Sequence, residues 1–130
     1  MSHQKTLYNA AKNVMKNAHA PYSHYHVGAA VLADNGQTYV GTNVENASYP
    51  EGWCAETSAI AAMVAAGAKR ITEVCVVTRS DPPGTPCGGC RQRLSEFASA
   101  DTPVHVTNLD GVSHTWRMDE LLPGAFKLKD

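Results

Sequence analysis

Two short cysteine motifs constrain this chain more than any other feature. Cys54-Ala55-Glu56 and Pro86-Cys87-Gly88-Gly89-Cys90 each stand where a helix is predicted to begin, and a run that reads as a strand lies between them. At a helix start, free backbone N–H groups and the positive end of the helix dipole favour a thiolate. Three thiolates brought together suit zinc, so the fold has to carry both helix starts to one place. Three protein ligands leave a fourth tetrahedral position for water, the pattern of a catalytic site rather than a structural one. Glu56, two residues after Cys54, is close enough to reach that water without binding the metal. The competing reading of the cysteines is a redox pair with a stray core thiol. A fourth protein ligand would instead make the chain a zinc-stabilised binding module. Cys75, set among Val74, Val76 and Val77, reads as an inert core thiol.

The 130 residues suit a single domain spanning 1–130. A formal net charge of −1 argues against nucleic acid, whose binders carry a dominant basic patch. A single nucleoside carries no phosphate and is not excluded. No apolar run approaches the roughly 18 to 20 residues that span a bilayer, and Met1 to Lys16 lacks a secretory apolar core. The expected location is the cytoplasm, where cysteines stay reduced and clustered ones more often bind metal than form disulfides.

Leu7, Ala10, Ala11, Val14 and Met15 fall on one face of a predicted helix over Gln4 to Ala18, closed off by Pro21. Val27 to Leu32 and Thr38 to Thr42 flank the turn Asp34-Asn35-Gly36 and read as a hairpin. A second helix is expected from about Cys54 to a stop at Gly67, and a buried strand over Val74 to Thr78. A third helix is predicted from about Gly88 through Phe97. Val104 to Thr107 and Val112 to Arg117 read as strands around the turn Asn108-Leu109-Asp110-Gly111. Helices alternate with strands behind a leading hairpin, which predicts a three-layer α/β/α architecture around a mixed, roughly five-stranded sheet.

The two cysteine motifs have the layout general to zinc deaminases of nucleobases. Beyond them the chain resembles, over nearly its whole length, the small homotetrameric type of cytidine deaminase. The matching segments include Pro21-Tyr22-Ser23, Val27-Gly28-Ala29-Ala30, Asn43 to Tyr49, Arg91-Gln92 after the last cysteine, and Leu121 to Phe126. Several of these have no part in holding a metal, so the match is specific to the family.

The resemblance implies hydrolytic deamination of cytidine and deoxycytidine in pyrimidine salvage, with one zinc per chain on Cys54, Cys87 and Cys90. It implies that Glu56 shuttles protons, to ring N3 and then to the departing ammonia. Asn43 and Glu45 match the pair that binds the ribose 3′-hydroxyl, and Tyr25 stands where the family commonly stacks a phenylalanine on the pyrimidine. Ala55 would offer backbone contacts to the base. Ala47, Tyr49 and Phe126 match positions that complete a neighbouring subunit's pocket in a homotetramer with shared sites.

One position departs from the family, which commonly has an arginine after the catalytic glutamate and another after the last cysteine. Here the second is Arg91 but the first is Thr57, so a neutral hydroxyl replaces a charge beside the thiolates. A less acidic zinc-bound water is the expected consequence, unless Arg70 or Arg93 compensates. Rival enzyme readings are a deaminase of a modified nucleoside such as blasticidin S, and one of free bases or nucleotides. The pair Asn43 and Glu45, with Tyr49, favours the plain nucleoside. His24, His26, His105 and His114 lack ligand spacing and read as surface or packing residues.

Overall fold

Strand alternation divides the apolar residues of Gly28–Ala33 (β1) and Ile71–Thr78 (β3) between two opposed faces, and each face needs a cover. In the computed structural model, which describes residues 2–128, both faces receive one. Ala30, Cys75 and Val77 pack under Leu7, Ala11 and Met15 of the helix Gln4–Met15 (α1). Ala29, Val31, Val74 and Val76 face the other way, against Ala59, Ile60 and Met63 of Ala55–Ala65 (α2) and Leu94 of Gly88–Phe97 (α3). This is the three-layer arrangement that the alternation of elements predicts.

Thr38–Thr42 (β2), Pro103–Asn108 (β4) and Ser113–Arg117 (β5) complete a five-stranded sheet in the order β2-β1-β3-β4-β5. Only β3 and β4 run parallel, joined by α3, and the remaining pairs are antiparallel. Gly28 pairs with both Thr42 and Val77, so the C-terminal ends of β2 and β3 lie at one edge of the sheet. The chain leaving β3 enters α3 there, and the chain leaving β2 returns to start α2. That register brings two helix N-termini together. Gly41 permits the close seat of α2 on the sheet, since a Cβ there would lie 2.3 Å from the Ala59 backbone nitrogen.

The boundaries differ from expectation where tertiary pairing decides them. α1 stops at Met15, because Asn17 and Ala18 turn back to Val14 and Met15, and His19 then donates to the Asn43 carbonyl. β3 begins three residues before Val74 because Ile71 and Glu73 pair with Ala33 and Leu32. Gly67, at φ 93°, follows the end of α2 as expected. A 3₁₀ turn at Tyr49–Glu51 and a short helix at Met118–Leu121 (α4) are additions to the predicted elements. Among the described residues no helix is long and apolar enough to cross a membrane.

Candidate active site

Cys54 and Cys87 occupy the N-cap positions of α2 and α3, both with extended backbone, and Cys90 lies in the first turn of α3. Their three sulfurs are within 4.8 Å of one another. The Cys54 and Cys87 Sγ atoms are 3.7 Å apart. A tetrahedral ion with Zn–S bonds of about 2.3 Å separates its sulfurs by about 3.8 Å. The trio therefore fits one zinc, with donors of the right number and softness. It is the one group of three or more potential ligands this close among the described residues. A hydrogen bond from Cys90 holds the Cys54 thiol below its ordinary value, and the same bond, with burial, drives Cys90 upward. Cys75 is sealed in the core under α1, and burial pushes it up to about 11, as befits an unreactive thiol.

Glu56, in the first turn of α2, is 4% exposed. Burial raises its carboxyl well above the usual range, against smaller opposing effects from its backbone, Cys90 and the Arg93 charge. A buried carboxyl with a raised pKa beside a thiol cluster is a candidate for proton transfer.

Cys54, Cys87 and Glu56 line a cleft of about 400 Å³, which Ala55, Tyr25, Asn43, Glu45 and Tyr49 also line. Asn43 is held in place from both ends of its amide. Its Oδ1 accepts from the Val27 N–H at 3.0 Å, and its Nδ2 donates to the Tyr25 carbonyl at 2.7 Å. Glu45 accepts from the Ser23 hydroxyl and from the Tyr22 and Ser23 N–H groups, bonds that hold its carboxyl below the ordinary range. The Tyr25 hydroxyl meets Ser80 Oγ at 2.9 Å, which fixes the ring at the cleft wall. Two of the expected residues lie elsewhere. Ala47 is exposed and Phe126 is 68% exposed, and neither lines this chain's own cleft.

Residues 1–106 match the family model described as the cytidine and deoxycytidylate deaminase zinc-binding region. The chain belongs to that deaminase family. It is 40% identical over 120 residues to a cytidine deaminase of Sporosarcina psychrophila, covering 92% of this chain and 88% of the relative. A crystal structure of cytidine deaminase from Burkholderia pseudomallei superposes with a TM-score of 0.91 at 39% identity, covering 97% of this chain and all of the other. The corresponding enzyme of Mycobacterium tuberculosis gives 0.85 at 33% identity, over 98% of this chain and 100% of that one. The family's zinc has its ligand set here in Cys54, Cys87 and Cys90.

Within this deaminase-family site, the charged neighbours of the trio are arranged differently from expectation. Arg91 donates from Nε to the Pro86 carbonyl at 2.8 Å, from Nη1 to Leu121 at 3.0 Å and from Nη2 to Thr85 Oγ1 at 3.1 Å. It ties the Cys87 loop and α3 to α4, and it makes no hydrogen bond to a sulfur. Arg93 does, with Nη1 3.9 Å from Cys90 Sγ. The helical period explains the exchange: position i+3 shares a face with Cys90, whereas i+1 points well away. Thr57 Oγ1 lies 3.8 Å from the same sulfur. Arg70 sits beyond the far end of α2, its backbone bonded to Asp34. Trp53, Thr78 and Gly84 also line the cleft, and no motif singled them out. Their chemistry is ordinary for strands and turns, so only their position in the fold makes them part of the site. His105, read as a surface or packing residue, is buried and bonded to Glu73 at 2.6 Å.

Proposed function

We propose that this protein is a single-domain, zinc-dependent hydrolase that converts cytidine and deoxycytidine to the corresponding uridines with release of ammonia. The observation that carries this reading is the buried Glu56 beside three converging thiols at the base of a nucleoside-sized cleft. Cys54, Cys87 and Cys90 would hold the zinc, which would supply a water acid enough to act as nucleophile near neutral pH. Glu56 takes the proton of the attacking water and delivers it to ring N3 as the C4–O bond forms. A second transfer through the same carboxylate protonates the amino group, and the C4–N bond breaks. Backbone groups of Ala55 contact the base and Tyr25 stacks on it. Asn43 and Glu45 take the ribose 3′-hydroxyl. Both are preorganised by hydrogen bonds on this chain, so little ordering is needed on binding.

The working form is a homotetramer in which Ala47, Tyr49 and Phe126 complete a neighbouring pocket. The support is a set of aromatic side chains left open to solvent around the cleft and C-terminal segment: Tyr22, Tyr49, Trp53 and Phe126. The site of action is the cytoplasm, consistent with the free thiols of the trio. Pyrimidine salvage is the corresponding role.

The test is steady-state turnover of zinc-loaded protein on cytidine, deoxycytidine, cytosine, CMP and blasticidin S. Turnover of the two nucleosides with little on cytosine and CMP is expected, since the free base lacks the ribose clamp and the described lining of the cleft includes no lysine or arginine for a phosphate. Preferential turnover of blasticidin S, or of the free base, would overturn the assignment of substrate.

A further inference from the structure

A divalent ion on three thiolates carries a net charge of −1, and the ionised Glu56 beside it adds another negative charge, with Cys90 and Glu56 both buried. Such a cluster needs a cation within reach, because charge inside a protein is screened far less than at its surface. The nearest candidate in sequence, Arg91, has all three guanidinium nitrogens directed at Pro86, Leu121 and Thr85. Arg93 is placed differently. Its side chain folds back over the first turn of α3, so that a Cβ on Gly89 would stand 3.1 Å from its Nη1. From there Nη1 reaches Cys90 Sγ at 3.9 Å. No carboxylate lies within ion-pair distance of Arg93 among the described residues. From the opposite helix, Thr57 Oγ1 approaches the same sulfur at 3.8 Å as a neutral donor.

We propose that Arg93 is the charge partner of the Cys90 thiolate, a positioning residue that orients this sulfur and sustains the affinity of the trio for its metal. The inference rests on the zinc site of the proposed function. It assigns the balance of charge to α3 rather than to the position after Glu56, where Thr57 stands. Arginine suits the role because its charge persists at every working pH and its planar fork can meet sulfur edge-on.

The experiment measures zinc affinity by competition with a chromogenic chelator, on the full chain. The proteins are the parent, Arg93→Met, Arg93→Gln, Arg93→Lys and the double variant Arg93→Met/Thr57→Arg. Loss of a partner behind a metal ligand commonly costs about 10–100-fold in affinity, and that loss is expected for Arg93→Met and Arg93→Gln. Arg93→Lys should recover most of it. A guanidinium restored from α2 in the double variant should do the same, which repair of mere misfolding would not. Arg93→Gln keeps a polar, uncharged terminus on a shorter stem, so it reports on loss of the guanidinium even if Arg93→Met fails to fold. A parent that binds zinc tightly, with neutral variants binding within about threefold of it, would overturn the role of Arg93 alone. A parent that binds no zinc would overturn the metal reading and this inference together.

Discussion

Glu56 combines two properties that oppose each other in water: it is almost fully enclosed, and its proposed task requires it to ionise. Burial eases the conflict by raising its pKa above the ordinary glutamate value, which favours return of the proton once taken. Glu56→Gln, which keeps the shape and a hydrogen-bonding terminus, should retain fold and zinc yet lose about 10²–10⁴-fold in turnover. Turnover within about tenfold of the parent would assign proton transfer to another group. The sign of the pH dependence follows from the direction of the shift. The base must be a carboxylate, so kcat/KM falls as pH drops through the raised value. Its acidic limb should therefore lie above the ordinary glutamate value of about 4.3. A limb at or below that value would contradict the role given to burial. The cysteines separate in the same way. Cys87→Ala should abolish stoichiometric zinc in metal analysis, whereas Cys75→Ala should retain it, because Cys75 faces α1 on the other side of the sheet. Equal zinc in both variants would refute the ligand set.

At the scale of elements, the face of the sheet opposite the site is braced by a buried polar group that the proposed chemistry does not use. Glu73 on β3 accepts from Ser2 Oγ at 3.0 Å and from the His3 N–H at 3.2 Å, the residues that lead into α1. It also meets His105 Nε2 on β4 at 2.6 Å, and the other ring nitrogen meets Thr115 Oγ1 on β5 at 2.7 Å. One carboxylate thus links the start of α1 to three strands. Burial pushes Glu73 upward, but the hydrogen bonds from His105, His3 and Ser2 prevail and its pKa lies below normal. A depressed folded-state value stabilises the protein above about pH 4.3 and is lost as pH falls through the folded value. Glu73→Gln should then cost about 1–3 kcal/mol at neutral pH. Its melting temperature should also depend less on pH in the acid range than that of the parent. Parallel acid profiles in thermal unfolding would show that the brace contributes nothing through its charge.

At the scale of the whole molecule, the proposed homotetramer is supported by the aromatic side chains left exposed near the cleft. Tyr49 is 77% exposed and packs only edge-on against Tyr22, with ring centroids 6.1 Å apart. Light scattering should give the mass of four chains, and Phe126→Ala should lower activity, with KM rising if the ring closes a neighbouring pocket. A stable monomer with full activity would overturn the shared site. The α1 and α2 layers, by contrast, are complete within one chain, so loss of subunits is not expected to unfold the sheet at once.

Chemistry at short range was determined by the sequence alone. Cys54, Glu56, Cys87 and Cys90 could be read as one constellation because helix starts are local events, set by a few residues of pattern and by the dipole that follows. The strands and helices of the core were legible for the same reason, since periods of two and 3.6 residues are written into neighbouring positions. Where β3 begins, where α1 stops and what Arg91 holds in place were left to the tertiary structure. Ile71 becomes strand because Ala33 lies opposite it, and His19 leaves the helix to meet Asn43. Arg91 and Arg93 are alike in charge, and the helical period alone puts Arg93 on the face of Cys90, but no pattern shows what Arg91 reaches. The Leu121 carbonyl that Arg91 engages comes from a segment that only the folded chain brings to α3.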